Sequence, residues 1–299
     1  MGSDHERRDL ILPIRWHADE RDLLLHAIEL TARETGFNPR LIEKDYFCSV
    51  VLEYLAASDA DLHFKGGTCL AKVHGSFYRL SEDLDFSIST PPDASRQERS
   101  RRAGRLKPVI GDIPTLLPGF QLVQPLRGAN ESTQYNAVVG YESLLDSHLE
   151  PISIEVGLRE PTLTEAHQGS SKTMLLNPIN GRPLVEAFPV WCLSYQEAMA
   201  EKLRAALTRR DVAIRDFFDV DHAVRNGVLD TRDPALLRLL RRKLQVPGTS
   251  PVDVSPDRVG QLRRQLEADL RPVLREQDFA QFDLERALGI VHALAKQLE

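Results

Sequence analysis

Two aspartates, Asp83 and Asp85, stand two positions apart in Asp83-Leu84-Asp85-Phe86-Ser87-Ile88, where polar and apolar residues alternate. Side chains at i and i+2 of a strand point to the same side, so the two carboxylates share a face. Neighbouring like charges repel, and a bound divalent cation relieves the repulsion. Hard oxygen ligands suit Mg2+, with Mn2+ as a substitute, and magnesium completes its shell with water and substrate phosphates. Taken alone, the pair reads first as a solvated strand face or an ion pair with Arg79; its pairing with a glycine turn upstream reverses that order.

A second group lies upstream, in Lys65-Gly66-Gly67-Thr68. It follows a short strand candidate, Leu62 to Lys65, and opens a helix-like stretch from Cys69 to His74. Backbone N–H groups at a helix start favour an anion, and two glycines let a phosphate approach the backbone. Thr68 would add a hydroxyl, and Lys65 or Lys72 a positive charge. A third carboxylate is wanted if metal ions are to clamp both attacking and leaving oxygens. Glu155 in Ile152-Ser153-Ile154-Glu155-Val156 supplies it, its bland alternative being a lone exposed acid. Farther on, Lys202 sits among Arg204, Arg209, Arg210 and Arg215, with Asp216 and Asp219 close behind. A lysine near phosphates neutralises developing charge, and Asp219 would orient it through an ion pair.

The elements that must hold these groups are readable from periodicity. Leu23, Leu24, Ala27, Ile28 and Leu30 recur at helical spacing before Gly36. Asn38-Pro39 is a cap with proline at the first helical position, followed by the stripe Leu41, Ile42, Tyr46, Val50 and Tyr54. Strands are expected at Phe120 to Pro125, Tyr135 to Tyr141 and Ile152 to Leu158. From Ser194, a serine cap with Glu197 three residues on, helices run to the end. Leu262, Leu266, Leu270, Ile290, Leu294 and Leu298 read as packing positions. Pro247, Gly248, Pro251 and Pro256 mark a linker or long loop. The expected organisation is an α+β domain over residues 1–192 and a helical domain over 193–299 that contributes to the site.

The 299 residues, 42% hydrophobic and 27% charged, fit a globular chain with a buried core. No run approaches the roughly 20 apolar residues of a spanning helix. Asp4, Glu6, Arg7, Arg8 and Asp9 precede only a short apolar patch, unlike a secretory signal, so a cytoplasmic location is expected. Cys48, Cys69 and Cys192 form no C-x-x-C pair and read as buried small hydrophobes. A net charge of −6 argues against nonspecific coating of nucleic acid. Arg96, Arg99, Arg101, Arg102, Arg105 and Lys107 nevertheless offer a basic segment that would follow an RNA backbone, or simply a solvated helical face.

The four separated motifs, in this order over about Asn38 to Val224, resemble the AbiEii/AbiGii nucleotidyltransferases. These are the toxin halves of abortive-infection toxin–antitoxin pairs, within the DNA polymerase β-like nucleotidyltransferase superfamily. The resemblance implies a mixed sheet with N-terminal helices and a helical C-terminal half. It implies that Gly66, Gly67 and Thr68 hold nucleotide phosphates, that Asp83 and Asp85 bind metal, and that Ser81 lies beside the metals. Lys202 and Asp219 match the lysine and aspartate near the triphosphate; Glu155 matches the acid of a third motif, where wider relatives often carry aspartate. The implied reaction moves a nucleoside monophosphate from an NTP to RNA, at the tRNA 3′ end. A cognate antitoxin is implied as well, acting without a stable complex, and Ser81 is placed where modification would silence the enzyme. Three other readings share some of these parts. A metal-dependent glycosyltransferase leaves the glycine turn unexplained, and a kinase-like phosphotransferase would move the γ-phosphoryl group to a protein or small molecule. An inactive RNA- or partner-binding module would have no need of adjacent repulsive acids.

Overall fold

The computed structural model describes residues 14–58 and 60–298; the charged opening segment Asp4 to Asp9 lies outside the described residues. Helix α1 (Arg21–Thr35) stops at Gly36, which takes the left-handed conformation at φ 77°. Helix α2 (Pro39–Ala56) starts where the Asn38 side chain accepts from the Arg40 N–H. Both lie against the sheet through Ile28, Ile42, Tyr46 and Val50, all buried.

Seven strands form one mixed sheet: β1 (His63–Lys65), β2 (Leu84–Ser87), β3 (Phe120–Ala129), β4 (Gln134–Glu142), β5 (Leu149–Gly157), β6 (His167–Ser171) and β7 (Phe188–Cys192). Their order across the sheet is β3-β4-β5-β2-β1-β7-β6. Strand β1 runs antiparallel to β2 and parallel to β7, and β2 runs parallel to β5. Alternation gives each central strand an apolar and a polar face. Leu84 and Phe86, with Ile152, Ile154 and Val156, enter the core, whereas Asp85, Ser87, Glu155 and Gly157 face the other way.

Three features depart from expectation. Strand β3 runs on to Ala129 because it is an edge strand whose register shifts on either side of Gln124 absorb Pro125. Strands β6 and β7 escape a pattern search. His167-Gln-Gly-Ser-Ser has almost no apolar residue, and Pro189 interrupts β7, yet Phe188, Val190 and Cys192 are buried and pair β7 with β6. The stretch after Val246 is no detached linker: Pro247, Gly248, Thr249 and Ser250 wall the central cleft.

Helix α3 (Arg96–Gly104) follows β2 and sets Ala103 into the core cluster, away from the cleft. Helices α4 (Tyr195–Thr208), α5 (Ile214–Arg225), α6 (Pro234–Leu244) and α7 (Leu284–Leu298) share a second apolar cluster that includes Leu262, Leu270 and Leu294. Leu70, just beyond the glycine turn, belongs to this second cluster, so the turn is seated on the helices. Ser194 caps α4 by accepting from the Glu197 N–H at 3.2 Å. The Glu197 carboxylate does not complete the capping box. It is fully buried and accepts from the Leu163 and Thr164 N–H groups instead. No described helix is long and apolar enough to cross a membrane.

Candidate active site

Strand register builds the site. Lys65 on β1 is the cross-strand partner of Asp85 on β2, and Asp85 is the partner of Glu155 on β5. Partners in register share a face, so Lys65, Asp85 and Glu155 form one row across three strands. Asn136 on β4 extends that row as the partner of Glu155. Asp83 stands just before β2 and is exposed; its carbonyl accepts from Thr68 Oγ1. Burial first, and then the charges of Glu155 and Asp83, raise Asp85 from 3.8 to about 6, while Lys65 and Lys202 pull the other way.

The glycine turn does more than admit a ligand. Gly66 has φ +74°, a left-handed conformation that costs a residue with Cβ roughly 1–2 kcal/mol. A Cβ there would also stand 2.9 Å from Asp85 Cβ and Cγ, and closer still to Oδ2. At Gly67 a Cβ would meet the Arg79 guanidinium, 3.1 Å from Cζ. The glycines therefore make room for Asp85 and Arg79, where the sequence suggested room for phosphate alone. Gly66→Ala is expected to lower stability by at least about 1–2 kcal/mol and to displace Asp85. Urea unfolding alongside an activity assay checks this, and a variant unchanged in both would contradict the close approach.

Several sequence-predicted residues play other parts than expected. Thr68 is buried and spends its hydroxyl on the Asp83 carbonyl, tying turn to acid pair, so it is not aimed at a phosphate. Lys72 is fully buried, 2.6 Å from Asp45 Oδ1 and hydrogen-bonded to Ser49, so it brings no charge to the turn. Arg79 does not pair with Asp83 or Asp85; it clasps Asp219 through Nε and Nη2 at 2.5 and 2.8 Å. Ser81 is partly exposed, two residues before Asp83.

The helical half supplies Lys202, whose Nζ lies 2.8 Å from Asp216 and 3.1 Å from Asp219. Asp219 is buried behind it and also accepts from Tyr78 and Arg79. Burial works to raise Asp219's pKa, but Arg79 and Lys202 overcome it and hold the carboxyl well below its ordinary range. Asp219 thus positions Lys202 and Arg79 and does not line the cleft itself.

Between sheet and helices lies a cleft of about 630 Å3. Lys65, Gly66, Glu155 and Lys202 line it, with Arg159, Glu201, Arg204 and Arg210. Lys65 reaches Glu201 at 3.1 Å, and Glu201 also binds Lys243, a buried lysine that contacts Glu160 and Glu197 as well. Burial works to raise the pKa of Glu201, yet Lys65, Lys243 and Arg204 hold it well below its ordinary range. Sequence reading missed this network, because Glu160, Glu197, Glu201 and Lys243 meet only through tertiary packing. It also missed Arg159, two residues past the end of β5. Among the described residues Arg159 has no carboxylate within ion-pair distance; Nη2 donates to Thr249 and Nε is buried without a partner. Burial, and then Arg204, lower its pKa, so its charge is under-compensated.

The donor set offered to a metal is Asp83, Asp85 and Glu155. Hard oxygens in mutual repulsion fit Mg2+ or Mn2+ by their chemistry. Their oxygens do not all converge within 4.8 Å, so the trio is looser than a closed cage. That suits magnesium, which takes one or two carboxylates plus substrate phosphates.

The site thus sets a row of lysine and acids on a mixed sheet beside a left-handed glycine turn, with a lysine from the helices across a cleft. Residues 51–290 match the family described as nucleotidyl transferase AbiEii toxin, Type IV toxin–antitoxin system, and the chain belongs to that family. Its fold is similar to that of MenT4, a nucleotidyltransferase toxin from Mycobacterium tuberculosis H37Rv, with TM-score 0.52 and 22% identity. That likeness covers 91% of this chain and 99% of the other. JHP933 from Helicobacter pylori is similar in fold at TM-score 0.50 and 17% identity, over 88% of this chain and 93% of that one. No curated protein matches the sequence.

Proposed function

We propose that the cleft transfers a nucleoside monophosphate from an NTP to an RNA acceptor, the 3′ end of tRNA, with Mg2+ or Mn2+ held by Asp83, Asp85 and Glu155. The observation that carries this reading is the Lys65, Asp85 and Glu155 row set in register beside the Gly66 turn. When bound, the metal would polarise phosphate oxygens and offset their charge. The chain's own residues do the rest. Gly66 and Lys65 seat the polyphosphate at the sheet, and Lys202, oriented by Asp219 and Asp216, neutralises charge on the departing pyrophosphate. One carboxylate, Glu155 or Asp85, takes the proton of the attacking hydroxyl.

Arg159 adds an anion contact, since its guanidinium lines the cleft with no carboxylate partner among the described residues. A hydrogen bond to a charged group contributes about 1.5–3 kcal/mol. Arg159→Gln is therefore expected to raise the KM for NTP by roughly tenfold or more with little change in unfolding midpoint. An unchanged KM would remove Arg159 from the substrate.

The division of labour follows the proposed organisation, with residues 1–192 supplying the acids and turn and residues 193–299 supplying Lys202. The antitoxin of such a pair would act without a stable complex, and Ser81, beside the acid pair, is where a modification would block the metals. Incubation with α- or γ-labelled NTPs and bulk RNA tests the reaction. Label is expected in RNA from the α position only and to be lost in Asp83→Ala. Transfer from the γ position, to RNA, protein or small molecule, would favour a phosphotransferase, and no transfer at all a binding module.

A further inference from the structure

Behind the glycine turn, outside the cleft, two of the three cysteines come together. Cys69 ends the helical turn that starts at Gly66, His74 closes the next turn, and Cys192 is the last residue of β7. One ligand atom from each lies within 4.8 Å of the others. Both cysteines are fully buried and neither is in a disulfide. His167, first residue of β6, is the cross-strand partner of Cys192, and its Nε2 lies 3.7 Å from Cys192 Sγ.

The spacing has a chemical meaning. With Zn–S near 2.3 Å and Zn–N near 2.0–2.1 Å, the edges of a tetrahedral site span roughly 3.4–3.8 Å. The Cys192 to His167 separation equals such an edge. Cys69, His74 and Cys192 lie within 4.8 Å of one another, and His167, outside that limit from at least one of them, would swing inward to close the fourth position. His74 Nε2 lies 2.9 Å from the Leu193 carbonyl, which can only accept. The Nε2 proton is thereby fixed, and Nδ1 is left with its lone pair, as ligating histidines are commonly arranged. Gly169 leaves space at the edge of the group, where a Cβ would stand 2.9 Å from Cys192 Sγ. Thiolate and imidazole together select a soft or borderline ion such as zinc over magnesium.

We propose that Cys69, His74 and Cys192 bind one zinc ion, with His167 closing the fourth position, as a structural site separate from the cleft. Four protein ligands leave no open position, so the ion is a clamp and not a second reaction centre. It joins β6 and β7 to the helical turn that begins at Gly66. This would brace that turn from the side opposite the cleft.

The test uses the full chain, purified without an added metal-binding tag and titrated with Co2+ and then Zn2+. One equivalent of cobalt is expected to give the visible bands of tetrahedral coordination and a thiolate charge-transfer band, both abolished by zinc. Cys69→Ser and Cys192→Ser should lose the charge-transfer intensity, and His167→Ala should weaken affinity about tenfold or more. Cys48→Ser, whose thiol on α2 lies against the Glu82 carbonyl, should change nothing. Circular dichroism separates lost binding from lost folding in the variants, and the cobalt spectrum of the unsubstituted chain is decisive without them. Octahedral cobalt spectra, binding that survives in Cys69→Ser, or an intact mass showing Cys69 joined to Cys192 by a disulfide would overturn the proposal.

Discussion

Asp85→Asn is expected to abolish transfer while making the protein more stable at neutral pH. Its carboxyl is raised from 3.8 to about 6, by burial first and by Glu155 next. The folded chain therefore binds a proton more tightly than the unfolded chain does. The stability linked to this group is fully present below about pH 4 and is lost as pH rises through about 6. Kept ionised at about pH 8 without a cation, Asp85 costs the fold up to about 3 kcal/mol. Asparagine removes the charge and its repulsion, so the urea midpoint at about pH 8 should rise by the equivalent of about 1–3 kcal/mol. Transfer should fall on the order of 10^3-fold or more, as expected for loss of a metal-binding carboxylate. Added Mg2+ should raise the melting temperature of the unsubstituted chain and leave that of Asp85→Asn unmoved. A variant that is both less stable and fully active would remove Asp85 from the site.

Asp219→Asn is expected to have the opposite signature, a large loss of stability. Asp219 takes Arg79 in two-point contact, Lys202 at 3.1 Å and the Tyr78 hydroxyl, all against a carboxylate with no exposed side-chain surface. Around it Arg79 and Lys202 face Asp216 and Asp219, and Arg209 also reaches Asp216. Neutralising one acid leaves the buried Arg79 without its counter-charge, which costs about 3–5 kcal/mol. Replacing both partners with apolar residues, Arg79→Met with Asp219→Leu, should recover part of that loss. Unfolding of the two single variants and the double completes the cycle. A double variant as unstable as the sum of the singles would mean that the pair is not a unit. Activity should fall in Asp219→Asn as well, since Lys202 keeps only Asp216 to hold it.

The parts of this site carried by local pattern were readable in the sequence. Asp83 and Asp85 fall where strand alternation puts them, and Asn38, Gly36 and Ser194 bound helices for the reasons their side chains or backbones dictate. Lys202 lies on a helix that opens with the Ser194 cap, and Asp219 on the next helix, which has no capping side chain; their pairing was expected from charge and nearness in sequence. What stayed hidden depends on distant pairing. Arg79 reads as a natural partner for nearby Asp83, yet folding carries it behind Gly67 to Asp219. Thr68 and Lys72 look like phosphate ligands by spacing, but their helical turn rotates one toward the Asp83 carbonyl and the other into the core. Cys69 and Cys192 are 123 positions apart, and only the parallel pairing of Phe64 with Cys192 brings β7 beside the turn. Strand β6 lacks an apolar face, so backbone bonds to β7 define it where no periodicity does.

Crystals grown with Mg2+ and a non-hydrolysable NTP will show where the triphosphate and the metal sit. The triphosphate should lie between the Gly66 turn and Lys202, with oxygens of Asp83, Asp85 and Glu155 on the metal. A nucleotide bound elsewhere, with these carboxylates turned to solvent and no ion between them, would contradict the account.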